Sequence, residues 1–285
     1  MEKQFQQALI LGGGGQFGIA WELGYIRGLQ DEGISLRNSD MIVGTSAGSQ
    51  VGSLLASDKS WEALWEEQVL SDIHEESPAD SKTMMNLFTQ FDAIADNASD
   101  SFSWVQGMAN LAINTATKFD EEKHISQIKN RVGQISWGNA LHIVATSATT
   151  SQRQMWNVND RVDVYHAMSA SSSLPGVWPV TTVGDDKYFD GGSYSVENAD
   201  VAKDAAKAII FATGLPIKTP ETLDDQLQIL DSSNTSYQVI KPDNSVMDIF
   251  AKYGNNSVDP SLRKDIATVA RQQGQNEAAR LKAFL

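Results

Sequence analysis

Met41-Ile42-Val43-Gly44-Thr45-Ser46-Ala47-Gly48 is an apolar run that stops at a glycine, presents one serine and leads into a stretch of mostly small and apolar residues. The pattern predicts a buried strand over 41–43, a sharp turn at Ser46 and a helix over 47–56. A serine held on a strand-to-helix turn has the layout of a nucleophile elbow. Side chains at Gly44 or Gly48 would crowd the turn or the approaching helix, so the glycines leave the hydroxyl exposed. A helix that starts just after Ser46 also aims its unpaired N–H groups and positive dipole end at the oxygen. An ordinary glycine-rich turn is the competing reading of the same five residues; the strand before and the helix after favour the elbow.

Upstream, Ala8-Leu9-Ile10-Leu11 reads as a buried strand. Gly12 to Gly15, with Gln16-Phe17-Gly18, forms a loop opening a helix that runs to about Gln30 and ends at Asp31-Glu32-Gly33. Downstream, 141–146 and 208–213 read as further buried strands, and 154–158 as a weaker strand pairing with 141–146 as a hairpin. The β-α-β opening and the continuous apolar strands predict a three-layer α/β/α fold with a mostly parallel central sheet.

Between about residues 59 and 133 the periodicity becomes helical. Trp61, Leu64, Trp65 and Val69 share one face, as do Met84, Leu87, Phe88, Phe91 and Ile94; Phe102, Val105, Met108, Leu111, Ala112 and Ile113 make a third stripe. Core packing is the ordinary account of these side chains. The functional account is an apolar groove or lid beside the serine, suited to an acyl chain. Residues 71–82 and 92–101 read as solvated loops, 231–256 as polar and turn-rich, and 261–285 as a final amphipathic helix. A single domain over 1–285, with a helical lid or insertion at about 59–133, is expected.

With 285 residues, 41% of them hydrophobic, the chain can bury a substantial core. Its net charge of −14 argues against nucleic acid and against electrostatic recruitment to anionic membranes, leaving at most transient contact with a membrane surface. The absence of cysteine removes disulfides, thiolate catalysis and Cys-ligated zinc, and fits a reducing compartment. Residues 1–7 show no basic region followed by an apolar stretch, and no segment approaches the roughly 18 apolar residues of a transmembrane span. A cytoplasmic location is expected.

A serine hydroxyl needs a positioned base. In an α/β-hydrolase order the histidine comes late, yet the four histidines here are His74, His124, His142 and His166, all in segments that read as structural or surface. The next candidate is a carboxylate. Lys187-Tyr188-Phe189-Asp190-Gly191-Gly192 places Asp190 at a strand end before glycines that permit a tight turn; a plain Asp-Gly turn is the alternative. An aspartate near its reference pKa of about 4 is a weak base at neutral pH, so it needs partial desolvation or direct contact with Ser46. The remaining barrier falls to charge stabilisation, for which the Gly12 to Gly15 loop can turn several amides inward.

Gly13-Gly14-Gly15-Gln16-Phe17-Gly18, Gly44-Thr45-Ser46-Ala47-Gly48 and Asp190-Gly191-Gly192, in that order, resemble the patatin-like phospholipase family. The stretch from Ala167 through Ser173-Leu174-Pro175-Gly176, with Trp178-Pro179-Val180, resembles the small-residue helix and proline turn before that family's Asp-Gly strand. The resemblance covers roughly residues 8–215. It implies a Ser-Asp dyad with Ser46 as nucleophile and Asp190 as proton acceptor, and an oxyanion hole from the Gly13, Gly14 and Gly15 amides. It further implies hydrolysis of an acyl ester in a phospholipid, lysophospholipid or related lipid through an acyl-serine intermediate, without metal or organic cofactor. Phe17 stands where the family commonly carries arginine, which bears on phospholipid against neutral-ester preference, and Trp21 stands where histidine is frequent.

Two rival readings remain. Gly13-x-Gly15-x-x-Gly18 after a strand also matches a dinucleotide-binding loop, but Asp40 precedes the second strand instead of ending it, so a ribose would lack its usual acceptor. A catalytically weak lipid-binding or regulatory module of the same fold is the other.

Overall fold

β1 (Phe5–Leu11) and β2 (Met41–Thr45) lie side by side and parallel, Ala8 against Met41 through Leu11 against Gly44. They are joined through α1 (Gly15–Asp31), and β2 passes directly into α2 (Ala47–Leu55). The structure, a computed structural model, describes residues 3–71 and 75–285, so the expectation for His74 and for residues 72–74 of the 71–82 loop lies outside the described residues.

After α2 comes the helical stretch: α3 (Trp61–Trp65), prolonged by a π-helical turn over Glu66–Leu70, then α4 (Ser81–Asn97), α5 (Ser101–Asn114) and α6 (Glu121–Val132). Asp80, Asp100 and Asp120 cap the last three, each accepting a backbone N–H from the first turn. The aspartates near Asp100 therefore belong to helix ends: 92–97 is the last part of α4, where a loop was expected.

The remaining elements are β3 (Leu141–Ser147), β4 (Arg153–Trp156), α7 (Val164–Ser171), β5 (Thr181–Val183), β6 (Asp186–Asp190), β7 (Ala205–Phe211), α8 (Leu223–Ser232), β8 (Ser236–Ile240), α9 (Asn244–Lys252) and α10 (Arg263–Phe284). The stretch expected to be turn-rich, 231–256, instead holds β8 and α9. β8 is an edge strand, and its Ser236, Tyr237, Gln238 and Val239 retain exposure, which is why its sequence lacks an apolar run.

The sheet runs β5-β6-β3-β2-β1-β7-β8, with β4 also on β3. β3, β2, β1, β7 and β8 are mutually parallel; β4 and β6 are antiparallel to β3, and β5 to β6. Side chains alternate between its faces. Leu9, Leu11, Ile42, Ile143, Ile209 and Phe211 pack under α1, α2, α7, α9 and α10. Ala8, Ile10, Val43, Val144, Ala208 and Ile210 pack against the turn at 199–204 and α8. The three-layer, mostly parallel α/β/α fold is present, with one thick and one thin helical layer. α10 lies against α1 so closely that a Cβ on Gly28 would sit 2.1 Å from the Arg271 carbonyl oxygen. No helix among the described residues is long and apolar enough to cross a membrane.

The register around β3 positions the site. Ile143 and Val144 pair with both β2 and β4, whereas Ala145 and Thr146 pair with both β4 and β6. A strand has two edges, so β2 and β6 share one. They run toward each other along it and end on adjacent rungs, Thr45 opposite Val144 and Asp190 opposite Ala145.

Candidate active site

Ser46, immediately after β2, adopts φ 52°, ψ −113°, a left-handed conformation costly for a residue with a Cβ. The surroundings hold it there. Its N–H donates to the Ser171 hydroxyl (2.8 Å), which itself donates to the Val144 carbonyl (2.6 Å). Gly48 lets α2 meet β1: a Cβ there would lie 2.1 Å from the Leu11 carbonyl oxygen.

The Ser46 hydroxyl donates to Asp190 Oδ2 at 2.7 Å, and Asp190 Oδ1 accepts the Gly192 N–H at 2.7 Å. Asp190 is only 3% exposed. Burial raises its carboxyl to about pKa 7, against the lowering effect of those two hydrogen bonds. Of its backbone groups, the N–H donates to the Ser173 carbonyl (3.1 Å) and the carbonyl accepts from the Thr146 hydroxyl (3.1 Å). The carboxylate is desolvated and in direct contact with the serine, the two conditions that make an aspartate a usable base near neutrality.

Gly13, Gly14 and Gly15 border the same cleft as Ser46 and Asp190. Their amides are not equivalent. The Gly13 N–H is engaged by the Val196 carbonyl at 2.9 Å, so the expectation that it faces a ligand is corrected. The Gly14 and Gly15 N–H groups make no hydrogen bond among the described residues. Thr213 donates to the Gly13 carbonyl (2.8 Å) and fixes the loop from behind. Gly18 opens room at the loop base beside Ala47, while Gly44 and Gly191 pack against backbone of α2 and of β3.

Asn198 was not singled out from sequence, yet it ties both halves of the site together. Its fully buried amide nitrogen donates to the Thr45 hydroxyl (3.1 Å) and to the carbonyls of Gly191 (3.4 Å) and Ser195 (2.6 Å), one residue before Ser46 and one after Asp190. Arg153, paired bidentately with Asp200 at 2.6 and 2.7 Å, donates to its carbonyl oxygen.

The cleft encloses about 1050 Å³, open mouth included. Its apolar wall is built largely by the helical stretch: Phe88 and Phe91 of α4, Trp104 and Met108 of α5, and Ile128 of α6, with Leu174 and Trp178 from the segment after α7. Some expected groove residues therefore line it. Glu76 and Pro78 border it too, and this stretch is not simply solvated: the Glu75 side chain is buried, bonded to the Arg131 guanidinium and to Gln16 Nε2 (2.9 Å). Arg131 holds that carboxyl below its ordinary range against the cost of burial, and also donates to Gln50 (2.8 Å).

Phe17 lies outside this cleft. It is fully buried and stacked on Phe250 of α9 at 4.2 Å, so the side chain at this loop position serves packing. Trp21 is likewise core, its indole N–H donating to Gln273 (3.1 Å). Of the histidines, His142 is half-buried in β3 and His166 pairs with Asp163 on the surface, whereas His124 is buried and lines the cleft.

No curated protein sequence matches the chain. Among solved structures it is similar to VipD from Legionella pneumophila, at 14% identity over 87% of this chain and 54% of that one, with TM-score 0.39. It is also similar to the type III effector protein ExoU, at 16% identity over 96% and 53%, TM-score 0.40. ExoU in complex with SpcU from Pseudomonas aeruginosa gives 15% identity over 96% and 53%, TM-score 0.33. The chain spans about half the length of these proteins, and likeness at this level carries no argument about activity. The sequence model of the patatin-like phospholipases, by contrast, matches residues 9–203, a span that contains the glycine loop, Ser46 and Asp190. With more than half its length so matched, the chain belongs to the patatin-like phospholipase family.

Proposed function

We propose that the protein is a lipid acyl hydrolase in which Ser46 is the nucleophile and Asp190 its proton acceptor. The observation that carries this reading is the 2.7 Å hydrogen bond from the Ser46 hydroxyl to a buried carboxylate at the floor of an apolar cleft. Ser46 Oγ attacks the ester carbonyl carbon while Asp190 Oδ2 takes its proton. The Gly14 and Gly15 amides stabilise the oxyanion of the tetrahedral intermediate, and Gly13 shapes the loop through its bond to Val196. As the C–O bond to the alcohol breaks, Asp190 returns the proton to the departing oxygen. Water then gives its proton to Asp190 and attacks the acyl-serine; collapse releases the fatty acid and restores the Ser46 hydroxyl.

The apolar wall receives the acyl chain, and the substrates are phospholipids, lysophospholipids or related acyl esters. The chain acts as one catalytic unit, with residues 59–133 as the helical cover of the cleft. Its cysteine-free composition supports a cytoplasmic location. The test is fatty-acid release from a lysophospholipid, a diacyl phospholipid and a monoacylglycerol by the protein and by Ser46→Ala. Release that depends on Ser46 is expected; binding of fatty acid without release from any ester contradicts the reading and favours a binding module.

A further inference from the structure

The serines that end α7 hold both reacting residues: Ser171 accepts from the Ser46 N–H, and the Ser173 carbonyl accepts from the Asp190 N–H. Ser169, two residues earlier, reaches elsewhere. Its hydroxyl lies 3.1 Å from His124 Nδ1 and 2.7 Å from the Thr181 hydroxyl. The Thr181 hydroxyl is also 3.0 Å from that of Ser173, which donates to the Ser169 carbonyl at 2.8 Å.

Proton bookkeeping sets the direction of every bond in this relay. A carbonyl oxygen only accepts, so the Ser173 proton goes to the Ser169 carbonyl. Thr181 then has to donate to Ser173, and Ser169 to Thr181. The only proton left for the fourth contact is on His124 Nδ1. The imidazole is therefore the Nδ1–H tautomer, and Nε2 carries a bare lone pair. The ring is stacked on Trp178 at 4.1 Å and 8°, and it lines the cleft that holds Ser46. Nε2 makes no hydrogen bond among the described residues. Burial, with the Arg131 charge adding to it, lowers the ring to about pKa 3 and keeps it neutral.

Nε2 thus gives the cleft an acceptor that no group among the described residues meets, open to a donor on a bound molecule. An ester linkage offers only acceptors, so the donor has to sit on another part of the substrate. We infer that His124 Nε2 accepts a hydrogen bond from a free hydroxyl on the alcohol portion of the ester, making His124 a specificity-determining residue for partially acylated polyols over fully substituted ones. The inference rests on the acyl-hydrolase reading above.

The test compares kcat/KM for a 1-acylglycerol and for the same ester with both free hydroxyls methylated, using the native protein and His124→Phe. The substitution keeps an aromatic ring against Trp178 and removes the acceptor; since Ser169 receives its bond from His124, no buried donor is stranded. The native protein should prefer the free-hydroxyl ester by about tenfold or more, and His124→Phe should bring that ratio close to one. A purely structural role lowers both rates and leaves the ratio, which overturns the inference while the hydrolase reading stands. Turnover of neither ester by the native protein overturns both. Nitrogen-15 spectra of the native protein supply a check that needs no variant: His124 should show a protonated Nδ1 and a bare Nε2 whose resonance moves on adding a non-hydrolysable 1-alkylglycerol. A protonated Nε2, or no movement, overturns the inference.

Discussion

Asp190 occupies the rung of β3 next to the one held by Thr45, on the same edge of the strand. Two strands that approach head to head along a third leave their end residues facing each other across a gap of one peptide, and the side chains of Ser46 and Asp190 meet in that gap. The arrangement needs no flexible loop to bring hydroxyl and carboxylate together.

Ser46 stores backbone strain, with φ 52° in a residue that bears a Cβ. Ser46→Gly and Ser46→Ala remove the same hydroxyl, so their difference isolates that strain. Thermal or denaturant unfolding should find the glycine variant the more stable by about 1 kcal/mol. An alanine variant at least as stable shows that the turn is relaxed.

Burial that raises Asp190 to about pKa 7 predicts the sign of two pH effects. A base must be ionised to act, so kcat/KM should rise with pH through about 7 and level off above. Stability runs the other way. The folded carboxyl holds its proton above its ordinary value of 3.8, so its favourable contribution is complete below about pH 4 and is lost as pH rises to about 7. Asp190→Asn should therefore gain stability relative to the native protein across that window. Glu197, also raised by burial to about 7, supplies the control: Glu197→Gln should leave the activity midpoint in place.

Asn198 holds Thr45 and Gly191 from behind with one amide. Asn198→Leu leaves buried acceptors unmet and should cost about 1–3 kcal/mol of stability. The loosened geometry should lower kcat roughly tenfold or more, with a smaller change in KM. Equal kcat in the variant removes Asn198 from the positioning of the pair.

Phe17 stacks on Phe250 beneath α1, away from the cleft. Phe17→Arg places a charge in an apolar contact and should destabilise the fold by about 3 kcal/mol or more. Among molecules that remain folded, selectivity between phospholipid and neutral ester should be unchanged. A shift toward phospholipid means that position 17 reaches the headgroup.

The local features of the site were legible in sequence because they are written in short patterns. Apolar runs at β1 and β2, the glycines at the tight turns and the serine between them dictate strand, turn and helix within a few residues. Asp190 was reachable by elimination among candidate bases. What escaped is long-range or solvent-facing. The head-to-head register on β3 brings together Ser46 and Asp190, 144 positions apart in chain order, and Asn198 contributes through tertiary hydrogen bonds that leave no periodic trace. β8 carries too many polar residues to read as a strand, since it forms the sheet edge. Glu75 and His124 sit among charged neighbours that suggest solvent; Arg131 draws in the first, and the contact of α6 with α7 covers the second.

Covalent labelling tests the central claim most directly. A fluorophosphonate reacts with an activated serine whatever the natural substrate, and peptide mapping locates the adduct. A single adduct on Ser46, much slower to form in Asp190→Asn and absent from Ser46→Ala, is the expected result. Folded protein that stays unlabelled, or carries the adduct on another serine, contradicts it.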